Sequence, residues 1–301
     1  MLSVGIFSAY YPYGLEESVR RIREDGFSCV QLDLSFKDMD IDVEKLDKAT
    51  CHKIRDAFRK GNIQIASITG DLNFVHPDPD IRAQNIRKMK SLLKHARDLG
   101  CGYVVSEVGT YCPSHNWTTH PKNRTEEGYQ EFLPIIMDIV KYAYDYGAVY
   151  LLEPSINHVM YSMDNVQRVF TDVNHKSLGL VLDPPNLYDM DTIKNPDIFL
   201  NKVIHALGDK AIIAHAKDCV LAESTEAITV DIEAGGGHAF RGQGGVELPA
   251  SGHGVLNYNL YVEKIFRINP NMPFIIEHVD SREDMLRAKK YVDQKLLESS
   301  C

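Results

Sequence analysis

The sequence predicts an α/β chain whose eight strand–helix units close into a (β/α)8 barrel. Three observations carry that prediction. Short apolar runs of strand length alternate with helix-length amphipathic segments along all 301 residues. Several helical segments stop at a glycine, at Gly26, Gly61, Gly100, Gly147 and Gly208, where a helix C-terminus favours one. Four apolar runs end on a residue that can bind a cation, and in a parallel barrel such ends open onto one face. An open doubly wound sheet would carry a Gly-rich turn after its first strand. The turn here, Ala9-Tyr-Tyr-Pro-Tyr-Gly14, has one glycine and no GxGxxG.

Residues 4–8 are the first predicted strand, and 15–25 have helical spacing up to Gly26. Residues 28–34 are the second strand, followed by a helix over 43–60. The third strand, 63–69, leads into Gly70-Asp-Leu-Asn-Phe-Val-His76. Pro79 and Asp80 start a helix to residue 99, with Ile86, Met89, Leu92, Leu93 and Ala96 on one face. The fourth strand is 103–108. A polar loop over 109–124 follows, with His115, Asn116, Trp117 and His120, and then a helix over 125–146. The fifth strand reaches Glu153, with a helix over 164–173. The sixth reaches Asp183, with a helix over 198–207, and the seventh reaches His215.

There the rhythm breaks. Residues 219–256 far exceed the roughly 2–6 residues usual for a βα loop. They are glycine-rich, with Gly235-Gly-Gly237 and Gly242-Gln-Gly-Gly245, and 227–232 reads as a strand of a small hairpin. The length and glycines predict a lid over residues 222–251. A helix over 257–267, a strand to Glu277 and a helix over 282–298 complete the eighth unit. With no linker or low-complexity segment, residues 1–301 are expected to form a single domain carrying the insertion at about 219–256.

Composition narrows the function. The chain is 44% hydrophobic, enough for a large core, and its formal net charge of −9 disfavours nucleic-acid phosphates. Basic residues over 82–94 alternate with apolar ones, as on a solvated helix face. No apolar run approaches the about 20 residues of a membrane span, and the first residues lack a signal-peptide layout. The six cysteines, Cys29, Cys51, Cys101, Cys112, Cys219 and Cys301, form no CxxC and read as free thiols. The expectation is a cytoplasmic protein with a small-molecule partner, no nucleic acid and no membrane; a homo-oligomer stays open.

The four strand ends carry the chemistry. Val149-Tyr-Leu-Leu-Glu153, Leu178-Gly-Leu-Val-Leu-Asp183, Ala211-Ile-Ile-Ala-His215 and Pro273-Phe-Ile-Ile-Glu277 place Glu153, Asp183, His215 and Glu277 on one arc of the barrel mouth. Three carboxylates together without a cation cost several kcal/mol or force protonation. Three oxygen donors and one nitrogen suit Mn²⁺ best, with Mg²⁺ or Co²⁺ as alternatives, and do not suit structural zinc. Glu153 and Glu277 reach such a metal from different sides. A sugar chelated between them through a carbonyl and an adjacent hydroxyl can lose a proton to one glutamate and regain it from the other, through an enediolate.

The order Glu153, Asp183, His215, Glu277 resembles the xylose-isomerase-like TIM barrels of the sugar phosphate isomerase/epimerase family. So do Leu182-Asp-Pro-Pro-Asn-Leu187, His215-Ala-Lys-Asp218, Gly252-His-Gly-Val-Leu-Asn257 and Asn73-Phe-Val-His-Pro-Asp78. The resemblance covers nearly the whole chain. It implies that the four residues are the metal ligands and that Glu153 and Glu277 double as the acid/base pair. Two departures concern substrate. Asn186 stands where ketose 3-epimerases often have a histidine, and Lys217 where they often have an arginine.

Further substrate-binding candidates are Lys217, Asn186, Glu107, His76, His158 and Arg241. Lys217 is expected either to bind a substrate oxygen or to pair with Asp218 or another carboxylate. Arg241 and His238 lie in the insertion, and Asn116 and Trp117 could wall the pocket. The expected activity is that of a divalent-metal-dependent isomerase or epimerase acting on a keto-sugar, sugar or inosose. The same first step also serves a lyase, as in inosose dehydration or β-elimination from a 3-keto-glycoside. A non-catalytic sugar-binding barrel is argued against by the intact glutamates. Endonuclease IV shares this barrel, and His76, His115 and His158 are compatible with its histidine-rich zinc sites, but the acidic balance opposes it.

Overall fold

A computed structural model describes residues 2–222 and 245–299. The strands and helices alternate in the order β1 (Ser3–Phe7), α1 (Leu15–Glu24), β2 (Cys29–Leu32), α2 (Lys48–Lys60), β3 (Gln64–Thr69), α3 (Pro79–His95), β4 (Tyr103–Glu107), α4 (Glu126–Asp145) and β5 (Val149–Glu153). Then come α5 (Met163–Val173), β6 (Leu178–Leu182), α6 (Pro196–Leu207) and β7 (Ala211–Ala216). Two short strands, β8 (Val220–Leu221) and β9 (Val246–Glu247), precede α7 (Tyr258–Ile268), β10 (Pro273–Ile276) and α8 (Arg282–Glu298). The barrel closes in the order β1-β10-β7-β6-β5-β4-β3-β2, and every strand pair in it is parallel. The eight-unit (β/α)8 barrel read from periodicity is the fold observed.

Strand alternation explains how the interior becomes a site. Val105, Leu151, Val181 and Ile213 pack together inside the barrel, one from each of β4 to β7. Cys29, Ala66 and Ile275 form a second plug from β2, β3 and β10. Side chains two residues apart on a strand point the same way. Two positions beyond these plugs stand Glu107, Glu153, Asp183 and His215, and likewise Gln31 and Glu277. The apolar layers thus form the floor, and the next layer up is polar.

The helices begin where a side chain can satisfy their first amides. Asp47, Asp78, Thr125, Ser162, Asn257 and Ser281 each accept an N–H from two or three residues on. Each such cap contributes about 1 kcal/mol. Caps also explain where the sequence reading drew helices too long. The segment 43–60 is a 3-10 turn, Val43–Lys45, followed by α2, because the Asp47 carboxylate takes the Thr50 N–H at 2.8 Å and restarts the helix. The segment 79–99 ends as α3 at His95 and runs through turns to Gly100, whose φ of 85° a side chain would resist. In contrast, α6 starts earlier than expected, at Pro196.

The insertion opens and closes with the antiparallel pair β8–β9, in which Val220 faces Glu247 and Leu221 faces Val246. The strand expected over 227–232, the Gly235–Gly237 run, His238, Arg241 and most of the expected lid lie outside the described residues. Among the described residues, no helix is long and apolar enough to cross a membrane.

Candidate metal centre

Glu153, Asp183, His215 and Glu277 converge at the barrel mouth, with one ligand atom from each lying within 4.8 Å of all the others. His215 stands at the middle. Its Nδ1 lies 3.2 Å from Asp183 Oδ2, 3.3 Å from Glu277 Oε2 and 3.4 Å from Glu153 Oε1. Its Nε2 lies 3.0 Å from Gln31 Oε1, across the barrel. Burial works against charging the imidazole, but Glu277, Glu153 and Asp183 raise it well above its ordinary value, so Nδ1 faces the carboxylates as N–H. With Nε2–H donated to Gln31, a cation that displaced the Nδ1 proton would meet the tautomer a metal-binding imidazole needs. Gln31 therefore orients the ring. It is the polar residue of an otherwise apolar strand, Cys29-Val-Gln-Leu32, and that lone polar position is its signal in the sequence.

Lys217 enters the same cluster. Its Nζ lies 2.6 Å from Asp183 Oδ2, 3.2 Å from Glu277 Oε2 and 4.0 Å from Glu153 Oε1, and the side chain is only 2% exposed. Of the two expected roles, pairing with carboxylates is thus the one observed, but Asp218 is not the partner. Asp218 faces the other way and accepts the N–H groups of Cys219, Gly252 and Leu256 at 2.9 to 3.0 Å. This latches the Gly252–Asn257 segment onto the end of β7. A Cβ at Gly254 would collide with the Asp218 carboxylate, so this backbone approach needs glycine.

The electrostatics follow from burial and charge together. Burial works against the ionised form of Glu277, but the charges of His215 and Lys217 outweigh it and hold the carboxyl below its usual range. The same contest leaves Asp183 lowered, through Lys217 and His215. At Glu153 burial prevails over His215, and the group is raised. Burial opposes the ammonium of Lys217, yet Asp183, Glu277 and Glu153 raise it above its ordinary value. Three carboxylates face one ammonium and one imidazole, and Asp183 Oδ1 is buried with no hydrogen-bond partner. A further cationic charge with a taste for oxygen and nitrogen fits that donor set.

The other predicted substrate residues separate into groups. Asn186 donates from Nδ2 to Glu153 Oε1 at 2.9 Å, so it positions that carboxylate rather than lining open space. Glu107 sits beside Glu153 in register on the neighbouring strand, 8% exposed. Burial, then the charges of Glu153 and Asp71, raises it well above a normal carboxyl. His158 is buried, stacks on Trp117 at 5.3 Å between ring centroids, and bonds Asn116 O through Nε2 at 2.9 Å. Its Nδ1 has no partner, and burial lowers its pKa to about 4, so it is neutral. His76 uses Nδ1 to accept the Asp78 N–H at 3.1 Å, which orders the entry to α3. Arg241 lies outside the described residues.

Two carboxylates at the mouth were missed from sequence, Asp33 after β2 and Asp71 after β3. Asp71 has a left-handed φ of 37°. Desolvation, then repulsion from Glu153, Glu277 and Asp33, raises its carboxyl above normal, while the residue as a whole stays exposed at the mouth. The available signal was the same strand-end carboxylate pattern that pointed to Glu153, Asp183 and Glu277.

Solved structures resemble the whole chain. A xylose isomerase domain protein from Planctomyces limnophilus is 19% identical, with a TM-score of 0.66 over 99% of this chain and 96% of that one. A xylose isomerase-like TIM barrel protein from Mycobacterium smegmatis in complex with magnesium is 14% identical, with a TM-score of 0.70 over 100% and 97%. The 3-keto-D-glucoside 4-epimerase of E. coli is 16% identical, with a TM-score of 0.69 over 100% of both chains. No curated protein matches at a comparable standard. The model of the xylose isomerase-like TIM barrel family matches residues 19–296, and the chain belongs to that family.

Proposed function

We propose that the protein is a divalent-metal-dependent isomerase or epimerase of a keto-sugar, with Glu153, Asp183, His215 and Glu277 as ligands and Glu153 and Glu277 as the acid/base pair. The observation that carries this reading is the convergence of the four donor atoms within 4.8 Å at the open end of the barrel. Sugar epimerization by a neighbour of the same fold, the 3-keto-D-glucoside 4-epimerase, supports the choice of substrate class. When bound, Mn²⁺, or Mg²⁺ or Co²⁺ in its place, would polarise a carbonyl and acidify the adjoining C–H.

The chain's own groups do the rest. Glu277 is held ionised by His215 and Lys217, and Glu153 is held in place by Asn186. They come from β10 and β5, with β6 and β7 between them, and so address a bound sugar from different sides. One removes the proton beside the carbonyl and the other returns one, on the opposite face or at the neighbouring carbon. The Lys217 ammonium, held beside Asp183 and Glu277, would stabilise an oxyanion developing next to them. His158 Nδ1 accepts from a hydroxyl, and Glu107 accepts from another.

The experiment is a panel of ketoses, inososes and 3-keto-glycosides incubated with Mn²⁺-loaded protein in heavy water and read by NMR. Exchange of a C–H next to a carbonyl, with a new epimer or isomer, is the expected result. A vinyl product would redirect the reading to elimination. No exchange on any sugar would end it.

A further inference from the structure

A cleft of about 550 Å³ opens between the loops that follow β2 and β3. It lies beside the candidate metal centre, because Asp33 lines it and Gln31, two residues earlier, contacts His215 at 3.0 Å; Asp71 lines the cleft from the neighbouring loop. Asp33 and Thr69 line it as well, and Thr69 Oγ1 is buried with no hydrogen-bond partner. Met39, Ile41 and Leu72 add apolar surface to the same lining. Two lysines against three aspartates leave the lining without the positive excess a phosphate would call for. A space of this size holds far more than a few waters and falls in the range, roughly 300–1,000 Å³, of sites for ligands of drug size.

Carboxylates and an unpartnered hydroxyl in a lining that also holds apolar side chains match one ligand chemistry. A sugar ring has hydroxyls at its edge and an apolar C–H face. We propose that the cleft binds a second, uncharged sugar ring, so that the substrate is a keto-glycoside whose keto ring lies at the metal centre and whose linked ring lies in the cleft. Asp71 stands at the junction and hydrogen-bonds hydroxyls near the glycosidic link. This inference rests on the keto-sugar reading of the metal centre and extends it from one ring to two.

The test compares 3-ketoglucose with the 3-keto derivatives of maltose and cellobiose, titrated calorimetrically into the Mn²⁺-loaded full chain. At least one disaccharide should bind about tenfold or more tightly than 3-ketoglucose, the equivalent of one good polar contact. Met39→Trp, which fills the cleft away from the metal ligands, should abolish that gain and leave 3-ketoglucose binding unchanged. Asp71→Asn, which the left-handed backbone there accepts, should reduce the gain even if the tryptophan variant fails to fold. Disaccharides that bind no better than 3-ketoglucose would overturn the inference, as would variants that weaken both equally. Deuterium uptake by 3-ketoglucose separates the two ideas. If it occurs without any disaccharide gain, only the cleft assignment falls. If no sugar binds or exchanges, the keto-sugar reading falls and the cleft assignment with it.

Discussion

The two halves of the barrel mouth are built differently. On the side of β5, β6, β7 and β10, the polar groups are buried and brace one another: His215 touches three carboxylates, Lys217 touches the same three, and Asn186 holds Glu153. On the side of β2 to β4, Asp33 and Asp71 keep an open edge and face a cleft, and Thr69 Oγ1 has no partner. The braced half could hold a small cation, which demands fixed donors at fixed separations. The open half suits a larger, softer ligand whose hydroxyls can adapt. The difference lies in burial: Asp33 Oδ1 accepts the Ser35 N–H and is only partly buried, and Asp71 is exposed, whereas the β5–β10 groups bond one another out of solvent.

The largest effect should come from the braced half. Glu153→Gln and Glu277→Gln each keep a carbonyl ligand but lose the base, and turnover should fall by about 10²–10⁴. Elemental analysis should still find substantial metal, and full turnover by either metal-loaded variant would refute the two-glutamate mechanism. His215→Ala should weaken Mn²⁺ binding by about a hundredfold, since it removes the one nitrogen ligand. The metal-dependent rise in melting temperature should shrink with it. Unchanged metal content would break the four-ligand centre.

Gln31→Leu tests whether orientation of His215 from across the barrel matters. A loss of about tenfold in Mn²⁺ affinity is expected, at the lower end for an outer-shell partner. Mn²⁺ titration of the variant reads it, and wild-type affinity would remove Gln31 from the site. Asp71→Asn should behave in the opposite sense, with Mn²⁺ and 3-ketoglucose affinity kept and keto-disaccharide affinity lowered by about tenfold. Loss of metal instead of sugar would erase the distinction between the halves.

The smallest effect concerns how dry the braced side is. His158 is neutral because burial lowers its pKa to about 4, below the ordinary value of 6.5. Its folded-state pKa is depressed, so the unfolded chain binds the extra proton first. The stability it contributes is intact above pH 6.5 and is lost as pH falls from there toward 4. At pH 5.5 the loss is about 1 kcal/mol. Denaturant titrations at pH 7.5 and 5.5 should show a smaller acid penalty in His158→Phe than in the wild type. An equal penalty would place His158 in contact with water.

Much of this was legible because it is local. Strand and helix periods, glycine stops and the carboxylates at the ends of apolar runs lie within a few residues of one another. They were enough to read eight units, a barrel and the Glu153, Asp183, His215, Glu277 set. The break before Asp47 was missed, although its cap is a local signal. Asp33 and Asp71 are the less legible pair, although Asp33 directly follows the end of β2 at Leu32 and Asp71 lies two residues past the end of β3 at Thr69.

By itself the sequence determined the alternation of elements, the side of the barrel on which each strand end opens, and the kinds of donor gathered there. Side-chain periodicity is a property of the backbone, so a strand's C-terminal carboxylate needs no long-range information to be recognised. The tertiary structure alone decided the partners. Gln31 meets His215 from 184 residues away, and Lys217 turns from its neighbour Asp218 toward Asp183 and Glu277. Such choices depend on which strands close the barrel and on where burial makes a hydrogen bond worth more than a sequence neighbour, and neither is written in local pattern.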